Sequence, residues 1–195
     1  MVMRFEILSP GNHLPVDYWT SMASGATRTE IEIGPGDGRF LIEAGRRRPD
    51  TVWVGLETRV GLARHIGERA DRPLNVRVHQ CDARWIIEHL IADESVDAFH
   101  AYFPDPWWKK RHHKRRLFTP SFAAALRRTL RPGGSVYLLT DVEVIFREAA
   151  LRMVEEGLNE NAWSRAAEDP AQSSYERKYR RQGRRLFEGR YEKQA

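Results

Sequence analysis

Five acidic residues recur where an apolar run gives way to polar turn residues: Glu32, Glu57, Asp82, Asp105 and Asp141. Turns favour acids in any protein, which accounts for one or two of the five. The first lies beside Gly34, Gly36 and Gly38, a Gly-x-Gly-x-Gly loop that directly follows Thr29–Ile33. Glycine lets a backbone turn tightly and approach a ligand closely. The dinucleotide fingerprint Gly-x-Gly-x-x-Gly is not met, because Arg39 stands where its third glycine would fall. A pyrophosphate is also a poor match, since Glu32 and Asp37 flank the loop and would repel it. A ligand with a cationic sulfonium, an amine and ribose hydroxyls suits these surroundings. Glu57, 19 residues beyond Gly38, ends the next apolar run, where an acid accepts hydrogen bonds from ribose hydroxyls. Asp82 and Ala83 are placed to meet an adenine edge. The cofactor these residues describe is S-adenosyl-L-methionine.

The elements that must hold these residues alternate between strand and helix. Strands are expected at Thr29–Ile33, Thr51–Leu56, Asn75–His79, Ser95–Phe103 and Ser135–Leu139, with helices from Arg39, Val60, Arg84, Pro120 and Val144. Pro132-Gly133-Gly134 reads as the stop after the Pro120 helix. Beyond residue 157 the pattern gives a weak strand near Trp163 and a stronger one from Arg184 to Tyr191. This alternation implies an α/β, Rossmann-like, mostly parallel sheet with helices on both faces. Ligands of such sheets bind beyond the carboxyl ends of the strands, where all five acids fall. The chain reads as one domain over residues 1–195, with a short N-terminal segment at 1–28 and a substrate-side segment at 160–195.

Charge is distributed unevenly. Residues 109–116, KKRHHKRR, hold six formal positives and no acid; residues 175–193 have a net charge of +5. The whole chain is only +5, so the remainder is mildly acidic. Two basic patches on an acidic body point to a polyanionic partner. The single Cys81 excludes an intramolecular disulfide and a multi-cysteine zinc site. His112 and His113 have no Cys or acid at metal spacing, so no metal is expected. No apolar run approaches the roughly 18 residues of a membrane span, and no secretory leader is visible, so a cytoplasmic protein is expected. Arg46-Arg47-Arg48 suits a helix C-terminus, and Trp53 and Trp85 read as packing residues.

The segment Phe103-Pro104-Asp105-Pro106-Trp107, followed by Lys109–Arg116, resembles the tRNA (guanine(46)-N7)-methyltransferase family. So do Glu32-Ile33-Gly34, Gly55-Leu56-Glu57, Asp82-Ala83, Pro132-Gly133-Gly134 and Thr140-Asp141, in the family's order. The resemblance implies a seven-stranded class I methyltransferase fold and methyl transfer from S-adenosylmethionine to a tRNA guanosine, by a monomer or homodimer. It implies that Glu32, Glu57, Asp82 and Asp105 line the cofactor site, with Asp105 also catalytic. It implies substrate contacts by Lys109 and Asp141. The family's Thr-x-Phe-Glu motif corresponds to Ser173-Ser174-Tyr175-Glu176, which gives Ser173, Tyr175 and Glu176 as guanine-side residues. Val142 and Trp108 depart from the family's usual residues.

The chemistry is coherent. Guanine N7 carries an in-plane lone pair and no proton, so methylation needs in-line placement rather than a general base. Attack makes the purine cationic, and a carboxylate such as Asp105 or Glu176 stabilises that charge. Tyr175 or Trp107 is available to stack on an exposed base, although Trp107 reads equally as a loop anchor. The same pattern also admits a methyltransferase for another base or a small molecule, and a non-catalytic RNA-binding partner subunit.

Overall fold

The computed structural model describes residues 6–7, 27–163 and 171–194. The strands are β1 Glu6–Ile7, β2 Arg28–Ile33, β3 Thr51–Glu57, β4 Val76–Gln80, β5 Val96–Tyr102, β6 Leu130–Thr140, β7 Asn159–Asn161 and β8 Phe187–Glu192. The helices are α1 Arg39–Arg47, α2 Val60–Glu68, α3 Ala83–His89, α4 Pro120–Thr129, α5 Glu143–Glu155 and α6 Ser174–Arg181, with a 3-10 helix at Lys110–Arg115. The sheet order is β1-β4-β3-β2-β5-β6-β8-β7. Pairing is parallel from β1 to β6, and β8 is antiparallel to both β6 and β7. The expected seven-stranded Rossmann-like sheet is there, and the two-residue β1 extends its edge beside β4.

Two apolar clusters cover the two faces. One joins Ile31, Val54 and Phe99 to Ile86, Leu126 and Met153 of α3, α4 and α5. The other joins Trp53 and Val78 to Phe40, Leu41 and Ile66 of α1 and α2. β3 is buried along its whole length, as a parallel strand covered on both sides requires. One polar network crosses this interior. Glu30 accepts hydrogen bonds from Arg48 Nη1 at 2.9 Å and from His100 Nε2 at 2.8 Å, while His100 Nδ1 pairs with the Tyr102 hydroxyl at 2.8 Å. Burial opposes the Glu30 charge, but His100, Arg48 and Arg28 outweigh it and hold the carboxyl below its usual range.

Three sequence expectations need correction. Pro132-Gly133-Gly134 is not a helix stop. Leu130 already pairs with Val96, the register then shifts before Ala98 meets Ser135, and the Pro-Gly-Gly segment is an irregularity inside β6. There Gly133 (φ 76°) donates its N–H to the Lys193 carbonyl at 2.8 Å. The weak strand near Trp163 is instead β7, Asn159–Asn161. The stretch Ser174–Arg181 is a helix where none was expected.

Candidate active site

All five acids lie at or just beyond the carboxyl ends of β2 to β6. Glu32 is buried near the end of β2, one residue from the turn into the glycine loop. Glu57, the last residue of β3, is also buried. Its Oε2 accepts the Gly36 N–H at 3.1 Å and its Oε1 accepts the Arg59 N–H at 2.9 Å. A carboxylate has about four acceptor sites, so Glu57 can hold the loop and still accept from hydroxyls. Asp82 caps α3, with Oδ1 accepting from the N–H groups of Arg84 and Trp85, and the next residue, Ala83, is buried.

The three loop glycines have different tasks. Gly34, Gly36 and Gly38 all have positive φ, at 69°, 59° and 74°. A Cβ added at Gly34 or Gly36 would meet nothing within 4 Å, so bare backbone faces open space there. A Cβ at Gly38 would fall 2.7 Å from Ile66 Cγ1, so Gly38 is required by the packing of α1 against α2. The open glycine backbone beside Glu57 fits the sulfonium cofactor that the sequence implies: acceptors and acidic side chains are at hand, with Arg59 Nε 3.6 Å from Glu57 Oε1.

The loop after β5 carries Asp105. Phe103 (φ 52°) and Trp107 (φ 44°) bracket it in the left-handed region, which costs non-glycine residues about 1 kcal/mol or more each. Asp105 itself is exposed between two prolines, in a shallow cleft with Arg116, Leu117, Phe118 and Ile145. Arg116 braces the loop. Its Nη1 meets both oxygens of Glu148 on α5 at 2.6 Å, and its Nε donates to the Pro106 carbonyl at 3.1 Å. Trp107 is half-buried, with His112 edge-on at 5.7 Å and the Arg115 guanidinium 5.0 Å from its ring centre. It is therefore a loop anchor held by the basic 3-10 helix. Trp108 is 66% exposed.

On the substrate side, Ser173 caps α6 by accepting the Glu176 N–H at 3.1 Å. Glu176 is fully buried and accepts from Arg180 Nε at 3.0 Å. Tyr175 is half-exposed, with its ring 6.2 Å from that of Phe103. Tyr179 lies edge-on to Phe103 at 5.3 Å and beneath the Arg184 guanidinium at 4.3 Å. Arg184 in turn forms an ion pair with Asp141 at 2.7 Å.

The structure thus brings together Glu57 with Gly36, Ser173 with Glu176, and Tyr175 with the end of β5. Among the described residues, no hydrogen bond or ion pair ties Asp105 or Lys109 to the other candidates. Lys109 is exposed at the head of the 3-10 helix. Sequence reasoning placed Asp37 and Arg39 at the glycine loop and Ser174 in the substrate-side motif but missed the contact that joins them: the Ser174 hydroxyl donates to Asp37 Oδ2, and Arg39 Nε donates to Ser174 Oγ at 3.2 Å. Nothing in the local sequence signals a contact across so many residues. Among the described residues there is no group of three or more metal-ligating side chains, and no helix is long and apolar enough to cross a membrane.

The chain is similar to several known proteins. The chain is 43% identical over 116 residues to a tRNA (guanine-N(7)-)-methyltransferase of Myxococcus xanthus, covering 58% of this chain and 56% of that protein. It is 40% identical over 131 residues to one from Pseudomonas putida, covering 66% and 54%. The chain therefore spans about half the length of the curated relatives it matches. Among solved structures, the 16S rRNA methyltransferase KamB superposes with a TM-score of 0.63 at 14% identity, over 93% of this chain and 94% of that one. The 16S rRNA (adenine(1408)-N(1))-methyltransferase from Catenulisporales acidiphilia gives 0.61 at 17%, over 94% and 95%. At such identities these structures share the fold, which is that of class I methyltransferases. Residues 26–189 match the family described as "Putative methyltransferase", and the chain belongs to that family.

Proposed function

We propose that this chain transfers a methyl group from S-adenosyl-L-methionine to N7 of a guanosine in tRNA, with position 46 as the expected target. The observation that carries the reading is the open glycine backbone at Gly34 and Gly36, held by Glu57 on the same sheet edge as the Asp105 loop and α6. When bound, the sulfonium supplies an electrophilic methyl group. Glu57 accepts from the ribose hydroxyls, Asp82 and Ala83 meet the adenine edge, and Glu32 contributes negative charge to a site that receives a cation. Asp105 faces the base and stabilises the positive charge that grows on the purine as N7 is methylated. Asp141 accepts from guanine donors, while Glu176, wholly buried on Arg180, braces the first turn of α6 that Ser173 caps rather than touching the base. Tyr175, half-exposed at the edge of the Phe103 cluster, supplies a stacking surface for the base. Lys109 and its basic neighbours contact phosphates.

The test is nucleoside analysis of unmodified tRNA after incubation with the protein and cofactor. 7-Methylguanosine is expected, and any other modified base overturns the assignment. Asp105→Ala is expected to retain cofactor binding and to lose transfer.

A further inference from the structure

α6 is tied to three separate strand ends. Ser174 reaches Asp37 and Arg39 in the loop after β2. Tyr179 packs on Phe103 at the end of β5. Arg184, just past the helix, pairs with Asp141 at the end of β6. Of these ties, the first alone involves the glycine loop. Asp37 lies between Gly36 and Gly38, and its Oδ1 also accepts the Arg39 N–H at 3.2 Å. Ser174 thus closes a ring of hydrogen bonds whose other members belong to the loop. It is flanked by Ser173, which caps the helix, and by Tyr175, the half-exposed aromatic.

From this geometry we infer that Ser174 is a positioning residue that couples cofactor binding to tRNA binding. The inference rests on the methyltransferase reading above. A loop whose backbone turns through three left-handed glycines has many conformations to lose when a ligand orders it. A loop already ordered by one ligand presents Asp37 and Arg39 in fixed positions to Ser174, and α6 is then set for the second ligand at no further ordering cost. The coupling must be reciprocal, because it is a free energy shared by two binding equilibria. Asp37 and Arg39 are both charged, which strengthens hydrogen bonds to the hydroxyl, but the site is solvent-exposed, which weakens them. A gain of about three- to tenfold in affinity is the scale such a bond supports.

The experiment measures the affinity of unmodified tRNA with and without saturating S-adenosylhomocysteine, for the natural protein, Ser174→Ala and Ser174→Thr. The expected result is tighter tRNA binding with the nucleoside in the natural protein, a ratio near one in Ser174→Ala, and recovery in Ser174→Thr, which restores the hydroxyl. The reciprocal measurement, nucleoside affinity with and without tRNA, must give the same ratios. Asp37→Asn, which weakens the bond from the loop side, is expected to reduce the ratio as well. A purely structural role for Ser174 would lower both affinities without changing their ratio. That result, or a ratio of one in the natural protein, overturns the coupling. If the natural protein methylates tRNA but shows no coupling, only this inference fails. If it transfers no methyl group to tRNA, the functional reading fails with it.

Discussion

The two basic segments do not offer all their charge to a partner, and this makes their salt dependence calculable. Residues 109–116 and 175–193 contain fourteen Lys and Arg residues. Five of them are in ion pairs: Arg116 with Glu148, Arg180 with Glu176, Arg184 with Asp141, Arg190 with Glu192 and Lys193 with Glu94. The remaining nine have no ion-pair partner among the described residues. Each cation that neutralises a phosphate contributes roughly −0.7 to −0.9 to the slope of log affinity against log salt. With the phosphates met by these two segments alone, nine free cations set a ceiling of about −6 to −8, whereas all fourteen would allow about −10 to −13. At that ceiling, affinity falls by roughly four to five orders of magnitude between about 50 and 200 mM salt. Single substitutions separate the two classes. Lys110→Ala removes a free cation and is expected to flatten the slope by about 0.7 to 0.9. Arg190→Ala removes a cation whose Nη2 is 2.6 Å from Glu192, and is expected to leave the slope unchanged. Fluorescence anisotropy of end-labelled tRNA across a salt series reads both. A natural-protein slope steeper than −8, or equal flattening by Arg190→Ala and Lys110→Ala, would refute the division into free and engaged charges.

Other expected outcomes follow from single contacts. Gly38→Ala places a methyl group against Ile66 at a left-handed position and is expected to cost about 2–4 kcal/mol of stability, read as a lower melting temperature. Gly36→Ala adds only backbone strain of about 1 kcal/mol, yet is expected to weaken S-adenosylhomocysteine binding in titration calorimetry, because its Cβ enters the open side of the loop. Arg116→Ala releases the Pro104–Trp107 loop from α5 and is expected to lower kcat about ten- to a hundredfold while leaving the salt slope of tRNA binding unchanged. Arg116→Lys restores the charge without the two-pronged geometry and is expected to recover only part of the rate. His79 is buried, and burial, helped by Arg77, pushes its pKa down to about 4. The unfolded chain therefore takes up a proton that the folded protein refuses. Stability is full above pH 6.5 and falls by about 3 kcal/mol by pH 4 through this residue, and denaturant melts of His79→Gln are expected to show a correspondingly shallower acid loss.

The sheet was legible in the sequence because its strands announce themselves twice, by apolar β-branched runs and by the acid or glycine that ends each one. Thr51–Glu57 is the clearest case: a parallel strand covered on both faces must be apolar throughout, and it is buried over its whole length. The Pro132-Gly133-Gly134 segment misled because its residue types suit both a helix stop and a strand irregularity. What decides is the pairing of Leu130 with Val96, a contact with a distant strand that local sequence does not encode. α6 was hidden for a different reason. Its sequence, SYERKYRR, has only Tyr175 and Tyr179 at helical spacing, too little for an apolar stripe, and Glu176 is its one buried residue. Yet a signal was present. Ser173-x-x-Glu176 has the spacing of a capping box, and Ser173 does accept the Glu176 N–H. The same four residues that suggest a guanine-side motif also start the helix that presents it.

That double use bears on how the candidate site is built. Glu176 is buried and held by Arg180, so it is poorly placed for phosphates and well placed to keep negative charge fixed inside the fold. Arg184 and Arg116 are likewise engaged, one on Asp141 and the other on Glu148. Each arginine draws a basic segment inward to a strand end or to α5, while the neighbouring free cations face solvent. The basic segments therefore have two tasks that composition alone cannot separate: some of their charges fasten loops around an acidic sheet edge, and the others are left for a polyanion. The division shows how a mildly acidic body could present the glycine loop to a cation, as the proposed reading requires, while a strongly basic rim lies close by. Arg116 and Arg184 already have carboxylate partners, so these two add little positive potential where a cationic cofactor would bind.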